Sequence, residues 1–535
     1  MGEKRRPNIL LFITDQHRAD HLGCYGNKTV RTPNIDSLAM HGTCFDRFYV
    51  ATPICMPNRA SLMTGRMPSL HGVRHNGIPL ALETTTFPEI LRRAGYATAL
   101  FGKSHLQSIS SRPIEMGLPA KQPDLDDPPG DLIEARQSGI AAENYDQELP
   151  ERWTPTSDFD LTLPFYGFER AELAIGHGDI MSGHYGRWLA ERCDDPNMLS
   201  GRENAFPTNT PCPQAWRTRI PEELYPTSFV AERCIDFLQD HACSGNENPF
   251  FLQCSFPDPH HPFTPPGRYW DMYDPAEIDL PATFAHPTDR QPPHLAAIHR
   301  SRAEGQANPE GHTVFAATAE ETRAAIALTY GSITMIDDAI GRVLDKLRSC
   351  GLDRDTIVIF TTDHGDFMGD HGLLLKGALH YDGLIRVPCI WTDPREEDRP
   401  ARTSELCGTI DLAVSILIAA GIQPFNGTQG QCLPLLRTES SGRSAMVIED
   451  NPRRSYMGFP SNFTVRTLVT ATHRLTLYSG VEWGELYDLE SDPCEFDNLW
   501  NNAKSRDRRL ELTEQLVQQM MLLSERSPLA RGHGP

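Results

Sequence analysis

The sequence predicts an α/β protein with a large, mostly parallel sheet flanked by helices, followed by a smaller C-terminal α+β domain carrying an antiparallel sheet. Three observations predict it. Short, continuously apolar runs such as NILLFIT (8–14), YATALF (96–101) and TIVIFTT (356–362) have the texture of strands buried on both faces. Stretches with helical periodicity alternate with these runs, the pattern of a sheet covered by helices on both sides. After about residue 440 the texture changes to shorter strand-like runs and one closing helix.

Taken in order, NILLFIT ends at Asp15. TFPEILRRAGY (86–96) reads as a helix stopped by Gly95, directly ahead of the strand YATALF. TSFVAERCIDFLQDH (227–241) is a helix that leads into the strand PFFLQCSF (249–256). The clearest unit spans 318–362. There Ile333, Ile336, Ile340, Val343, Leu344 and Leu347 recur at helical spacing, Gly351 stops the helix, and TIVIFTT ends at Asp363. The segments 107–170 and 275–315 are rich in Pro, Asp, Gly and Gln, have little periodicity, and read as insertions over one edge of the sheet. SAMVIED, FTVRTLVTAT and HRLTLYSG are the strand-like runs of the C-terminal part, and 506–523 is its helix. The predicted domains are therefore 1–440 and 441–535.

Composition excludes several classes of function. Fifty basic against 71 acidic residues in 535 give a net charge of −21, so no phosphate-matching face is expected for nucleic acid or an anionic membrane. No window approaches the roughly 20 apolar residues of a membrane span. The run Ile9–Ile13 is too short for a signal core, and Arg6 stands where a myristoylation motif needs Ser or Thr. Thirteen cysteines without CxxC pairs read as reduced thiols. The expectation is a cytoplasmic protein.

In open parallel sheets, ligands gather beyond the carboxyl ends of the strands. Two predicted strands end in ligand-type pairs, Asp15-Gln16 and Asp363-His364, which together suggest a hard-cation site built from oxygen donors rather than two helix caps. His17 and His21, four apart but without HExxH context, read as a solvated helix face. Asp366, Asp370 and His371 share the GDFMGDHG loop and read as structural. Arg59 follows Cys55 by four residues, so on a helix starting near Pro57 both can face one site. Lys103 and His105 in FGKSHL, His260 in PDPHHPF and Lys376 in LLLKGALHY bring further cationic or basic groups to strand ends, the focused positive site that a tetrahedral anion needs.

These fragments together resemble the formylglycine-dependent sulfatases of the alkaline phosphatase superfamily. CMPNRASLMTGR matches the family's C-x-P/A-x-R signature, FGKSHL its G-K-x-H, and PDPHHP its P-H-x-P. TTDHGDFMGDHG is similar to its second metal loop, and ELYDLESDPCEFDNL to its C-terminal domain. The resemblance implies an alkaline phosphatase-like fold and a sulfuric ester hydrolase. It also implies that a separate formylglycine-generating enzyme, reading Cys55, Pro57 and Arg59, oxidises Cys55 to Cα-formylglycine, whose hydrated aldehyde is the nucleophile. Asp15, Gln16, Asp363, His364 and the modified Cys55 would bind one divalent cation, calcium first and manganese second. Arg59 would help activate the nucleophile, Lys103 and Lys376 hold the anionic oxygens, His260 or Lys376 protonate the leaving group, and His105 act as the base that releases sulfate.

The first metal turn departs from the two consecutive acids of many sulfatases. Its Asp15-Gln16 pair, the spacing of Asn76 from Cys55 and that of Lys376 from Asp363 are similar to phosphonate monoester hydrolases. Against that branch, Lys103 and His105 are the sulfatase pair. Asn76, Lys103, His260 and Lys376 are therefore expected to bind a small anionic ester, with sulfate the first reading and a phosphonate monoester or phosphate diester the alternative. Oligomeric state stays open, with the closing helix and the tail SPLARGHGP as candidate contacts.

Overall fold

The computed structural model describes residues 6–111, 143–154, 157–245, 247–285, 291–396, 398–437, 442–452, 459 and 463–525. Most of the predicted insertion 107–170, and the tail SPLARGHGP, lie outside the described residues.

The apolar runs become one nine-stranded sheet. Its strands in chain order are β1 (Asn8–Thr14), β2 (Thr43–Phe45), β3 (Ala97–Gly102), β4 (Arg170–His177), β5 (Ile180–Gly183), β6 (Phe250–Ser255), β7 (Thr356–Thr362), β8 (Cys389–Thr392) and β9 (Arg402–Thr403). Across the sheet they run β9-β2-β8-β7-β1-β6-β3-β4-β5. The five central strands, β7-β1-β6-β3-β4, are parallel, and β8 and β5 enter antiparallel on either side. Alternate residues of β1 feed opposite cores. Ile9, Leu11 and Ile13 pack with Ile357 and Ile359 on one face, Leu10 and Phe12 with Val358 and Phe360 on the other. A strand buried on both faces presents both sets of side chains to a core, which is why these runs are mostly apolar without alternation.

Helices cover both faces. On the first lie α1 (Cys55–Thr64), α2 (Phe87–Arg93) and, further along the chain, the helix at Asp411–Ala419. On the second lie α3 (Pro226–Cys243) and α4 (Ala319–Ser349), the long amphipathic unit predicted from 318. The side chains of Thr318 and Glu321 form a reciprocal capping box at the start of α4. Lys346 and Arg348 lie in its last turn, where cations complement the helix dipole. The predicted insertion 275–315 is more regular than its composition suggested. It contains a helix at Pro293–Ala303, whose Leu295 and Ile298 bury against the first core.

The C-terminal part forms a separate four-stranded antiparallel sheet: β10 (Ala445–Asp450), β11 (Val465–Thr470), β12 (His473–Tyr478) and β13 (Gly484–Asp488). The closing helix α5 (Arg506–Leu522) buries Leu512 and Leu516 against Val447, Leu468, Leu475 and Leu486, worth about 2 kcal/mol per leucine. All thirteen cysteines are free. Among the described residues, no helix is long and apolar enough to cross a membrane.

The capping box supplies a test remote from any site. Thr318→Ala removes the hydroxyl that accepts from the Glu321 amide and is expected to cost about 1 kcal/mol in urea unfolding, with m unchanged.

Candidate active site

The carboxyl ends of β1, β3, β6 and β7 converge on the N-terminus of α1. Backbone hydrogen bonds lock the loops together: the Asp15 amide donates to the Asp258 carbonyl (3.2 Å), Asp363 to Thr14 (3.2 Å) and His17 to His364 (2.8 Å). Gln16 and His105 both adopt left-handed backbone conformations (φ 61° and 57°), a strained choice for non-glycine residues of the kind that clusters at functional sites. Gly102 ahead of Lys103 has φ 105°, and any Cβ there would sit 1.9 Å from the Ser255 carbonyl oxygen. Only glycine lets the chain leave β3 this close to β6.

Asp15, Cys55, Asp363 and His364 are all buried and present ligand atoms within 4.8 Å of one another. Cys55 is the first residue of α1, two residues earlier than the start predicted near Pro57. Its Sγ lies 3.0 Å from His364 Nε2, 3.8 Å from Asp15 Oδ1, and accepts from Lys376 Nζ at 3.0 Å. Gln16 adjoins this set, its backbone amide donating to Asp363 Oδ1 at 3.1 Å. Its Nε2 is held by Asp366 Oδ2 and lies 3.1 Å from His261 Nδ1, leaving Oε1 buried without a protein partner. Two carboxylates, a carboxamide oxygen and an imidazole make a donor set suited to a divalent cation, and the orphaned Gln16 Oε1 is the acceptor such an ion would satisfy.

Cations surround the carboxylates. Arg59 Nε donates to Asp363 Oδ2 (2.7 Å) and Nη1 to the Lys103 carbonyl and Ser255 Oγ (3.0 Å each), while Nη2 has no hydrogen-bond partner and lies 3.7 Å from Asp15 Oδ2. Lys103 Nζ donates to Asp15 Oδ2 and reaches His177 Nε2 at 2.7 Å. Lys376 Nζ lies 3.0 Å from both His260 Nε2 and His364 Nε2. Burial alone would raise the Asp15 pKa, but Lys103, Arg59 and Lys376 hold it well below the usual carboxylate range. For the Cys55 thiol, burial and Asp15 push up and Lys376 and His364 pull down, with a net lowering. Burial disfavours the Lys376 ammonium, yet Cys55 and Asp15 raise its pKa overall.

The histidines differ from the cationic groups expected at the strand ends. Burial, reinforced by Lys103 and Arg59 at His105 and by His177 and Lys376 at His260, drives both well below the ordinary imidazole range. They are neutral, and the site's positive charge comes chiefly from Lys103, Lys376 and Arg59. His17 and His21 are buried, at 0% and 6% exposure, so the reading of a solvated helix face is corrected. His17 lies in the turn after β1, with Nδ1 3.3 Å from Thr14 Oγ1. Asn76 is exposed, and its Oδ1 accepts the Met56 amide at 3.1 Å, capping the first turn of α1.

Several supporting residues were missed. Asn58 donates to the Asp363 carbonyl and accepts from the Ala51 amide (3.1 Å) and Thr409 hydroxyl (2.8 Å). Glu148, within the supposed insertion, accepts the amides of His105, Leu106 and Gln107 at 2.7–2.9 Å and so clamps the FGKSHL turn. Arg18 donates to the carbonyls of Asp366 (3.0 Å) and Phe367 (2.7 Å) and to Asp370 Oδ2 (2.6 Å), tying the two metal loops together. His177 ends β4 among Lys103, His105 and His260. A lone Asn, Glu or His in sequence carries no signal of such partners.

The profile of the sulfatase family matches residues 7–422, most of the chain. The chain belongs to the sulfatase family. A second profile, N-sulphoglucosamine sulphohydrolase, C-terminal, matches residues 369–522. The arylsulfatase of Clostridium perfringens is 28% identical over 530 residues, covering 96% of this chain and 94% of that one. The multifunctional alkaline phosphatase superfamily protein PehA of Trinickia caryophylli is 27% identical, covering 92% and 91%. The crystal structure of the phosphonate monoester hydrolase of Agrobacterium radiobacter superposes with a TM-score of 0.75 at 26% identity, covering 98% of this sulfatase-family chain and 97% of that one.

Asn58 gives the site's stability test. Asn58→Ala strips buried partners from the Asp363 carbonyl and the Thr409 hydroxyl and is expected to cost at least about 2 kcal/mol in urea unfolding.

Proposed function

We propose that this sulfatase-family enzyme is a formylglycine- and metal-dependent sulfuric ester hydrolase of the arylsulfatase type, acting on small sulfate monoesters. The observation that carries the reading is the buried set Asp15, Cys55, Asp363 and His364, ringed by Lys103, Lys376 and Arg59. That set joins a cation site to an anion receptor around one oxidisable residue. The Asp15, Gln16, Asp363 and His364 side chains would hold the divalent ion, calcium first and manganese second. Once residue 55 is converted to formylglycine, its hydrated aldehyde and the ion would supply the nucleophile and its Lewis-acid activation.

The remaining chemistry falls to this chain's own groups. Lys103 and Lys376 neutralise the ester's anionic oxygens as charge shifts onto them, and the free Nη2 of Arg59 supports a third donor. Lys376 keeps its proton and lies beside His260, which supports Lys376 as the donor to the leaving oxygen. His105 is neutral with Nδ1 unpartnered, which supports it as the base that takes the proton from residue 55 when sulfate is released. Asn76, bonded to the α1 backbone through Oδ1, is assigned to substrate binding through its side-chain amide. The free thiols support a reducing, cytoplasmic location.

Gln16 in the first metal turn, with the likeness to a phosphonate monoester hydrolase, favours a second reading: phosphonate monoester or phosphate diester hydrolysis on the same scaffold.

Protein co-produced with a formylglycine-generating enzyme is expected to carry an aldehyde at residue 55 by mass spectrometry. It should lose turnover on chelation, regain it with calcium or manganese, and give a higher kcat/KM for an aryl sulfate than for the matched aryl phosphonate ester. An unmodified thiol in fully active protein overturns the mechanism, and the reverse kcat/KM order selects the second reading.

A further inference from the structure

Lys103 raises a question of aim. Its ammonium carries three N–H donors and no acceptor. One goes to Asp15 Oδ2, and the Nζ lies 2.7 Å from His177 Nε2. Because the ammonium can only donate, Nε2 must be the accepting nitrogen and the ring proton must sit on Nδ1. Burial, with Lys103 beside it, keeps the His177 ring neutral, consistent with that tautomer. The third N–H is then fixed by tetrahedral geometry, and it is the one left for a bound anion.

His177 is itself held firmly. It ends β4, stacks on the His260 ring at 3.9 Å and 25°, and meets His105 edge-on at 6.2 Å. The hairpin behind it presses on the loop that carries His260. Gly178 has φ 58°, and a Cβ there would lie 2.8 Å from Pro262 Cγ. A ring wedged this way supplies an acceptor in one place only.

We propose that His177 is a positioning residue that accepts a hydrogen bond from one Lys103 N–H so that another N–H points at the ester's anionic oxygen. This rests on the anionic-ester reading of the site. Lys103 provides charge, Asp15 and His177 fix its direction, and the stack with His260 links that direction to the wall beside Lys376.

The test compares His177→Phe, which keeps a ring against His260 but removes the acceptor, with His177→Gln, whose side-chain oxygen can accept again. On formylglycine-loaded protein with an aryl sulfate or phosphonate ester, His177→Phe is expected to lower kcat about 10- to 100-fold with a smaller change in KM. His177→Gln should recover most of that loss, and the thermal midpoints of both should stay near wild type. In a Lys103→Ala background, His177→Phe should cost nothing further, because the residue acts through the lysine. Wild-type kcat in His177→Phe, a loss that multiplies with Lys103→Ala, or no recovery in His177→Gln overturns the inference while leaving the functional reading intact. If His177→Phe does not fold, His177→Ala carries the same comparisons. Wild-type protein inactive on every ester overturns the functional reading and this inference with it.

Discussion

The site depends on burying charge. Asp15 and Asp363 are 0% exposed, and Arg59 and Lys103 2%. Moving one such ion out of water costs several kcal/mol, a cost met only where partners are close and well oriented. Arg59 meets it by bridging: one guanidinium reaches Asp363 after β7, the Lys103 carbonyl after β3 and Ser255 at the end of β6. Three strand ends are thereby fixed relative to the first turn of α1, which carries residue 55. The placement of residue 55 and the neutralisation of the carboxylates are one and the same constraint.

The C-terminal sheet extends that logic. Arg474 of β12, 1% exposed, pairs with Glu495 and Glu485 and lies over the rings of Tyr381 and Tyr487. Glu495 also accepts the Asp382 amide at 2.9 Å, and His380 Nδ1 lies 2.8 Å from Thr467 Oγ1 of β11. These contacts grip residues 380–382, a few positions beyond Lys376. The small sheet therefore braces the loop that delivers an ammonium group to residue 55.

Legibility in the sequence followed the physics of burial. Strands buried on both faces are rich in apolar residues without alternation, so NILLFIT and TIVIFTT declared themselves, and α4 showed its apolar stripe. The candidate ligands Asp15, Gln16, Asp363 and His364 sat directly after two such strands in recognisable clusters. Groups that act through others did not, because Glu148, Asn58 and His177 owe their roles to partners 41–43, 305 and 74 residues away in sequence. Charge state was also hidden. A histidine among basic groups at strand ends reads as cationic in sequence, whereas burial drives His105 and His260 well below the ordinary imidazole range.

The same charge balance bears on sulfate against phosphonate. Asp15 and Asp363 face the guanidinium of Arg59 and the ammonium groups of Lys103 and Lys376, an excess of one positive charge among these five groups. A divalent ion held there would add to that excess, and Gln16, unlike an acid at that position, subtracts nothing. The receptor therefore favours an anion whatever its central atom. A sulfate monoester and a phosphonate monoester each carry one negative charge, so net charge alone cannot separate them. Discrimination has to arise where matched esters differ: in bond lengths, and in the carbon substituent that a phosphonate carries where a sulfate presents a third non-bridging oxygen. The charge of the turn that resembles the phosphonate enzymes therefore does not by itself decide between the two, and the rings of His177, His260 and His261, stacked at 3.9 and 4.1 Å beside Lys103 and Lys376, are a second polar surface at the site.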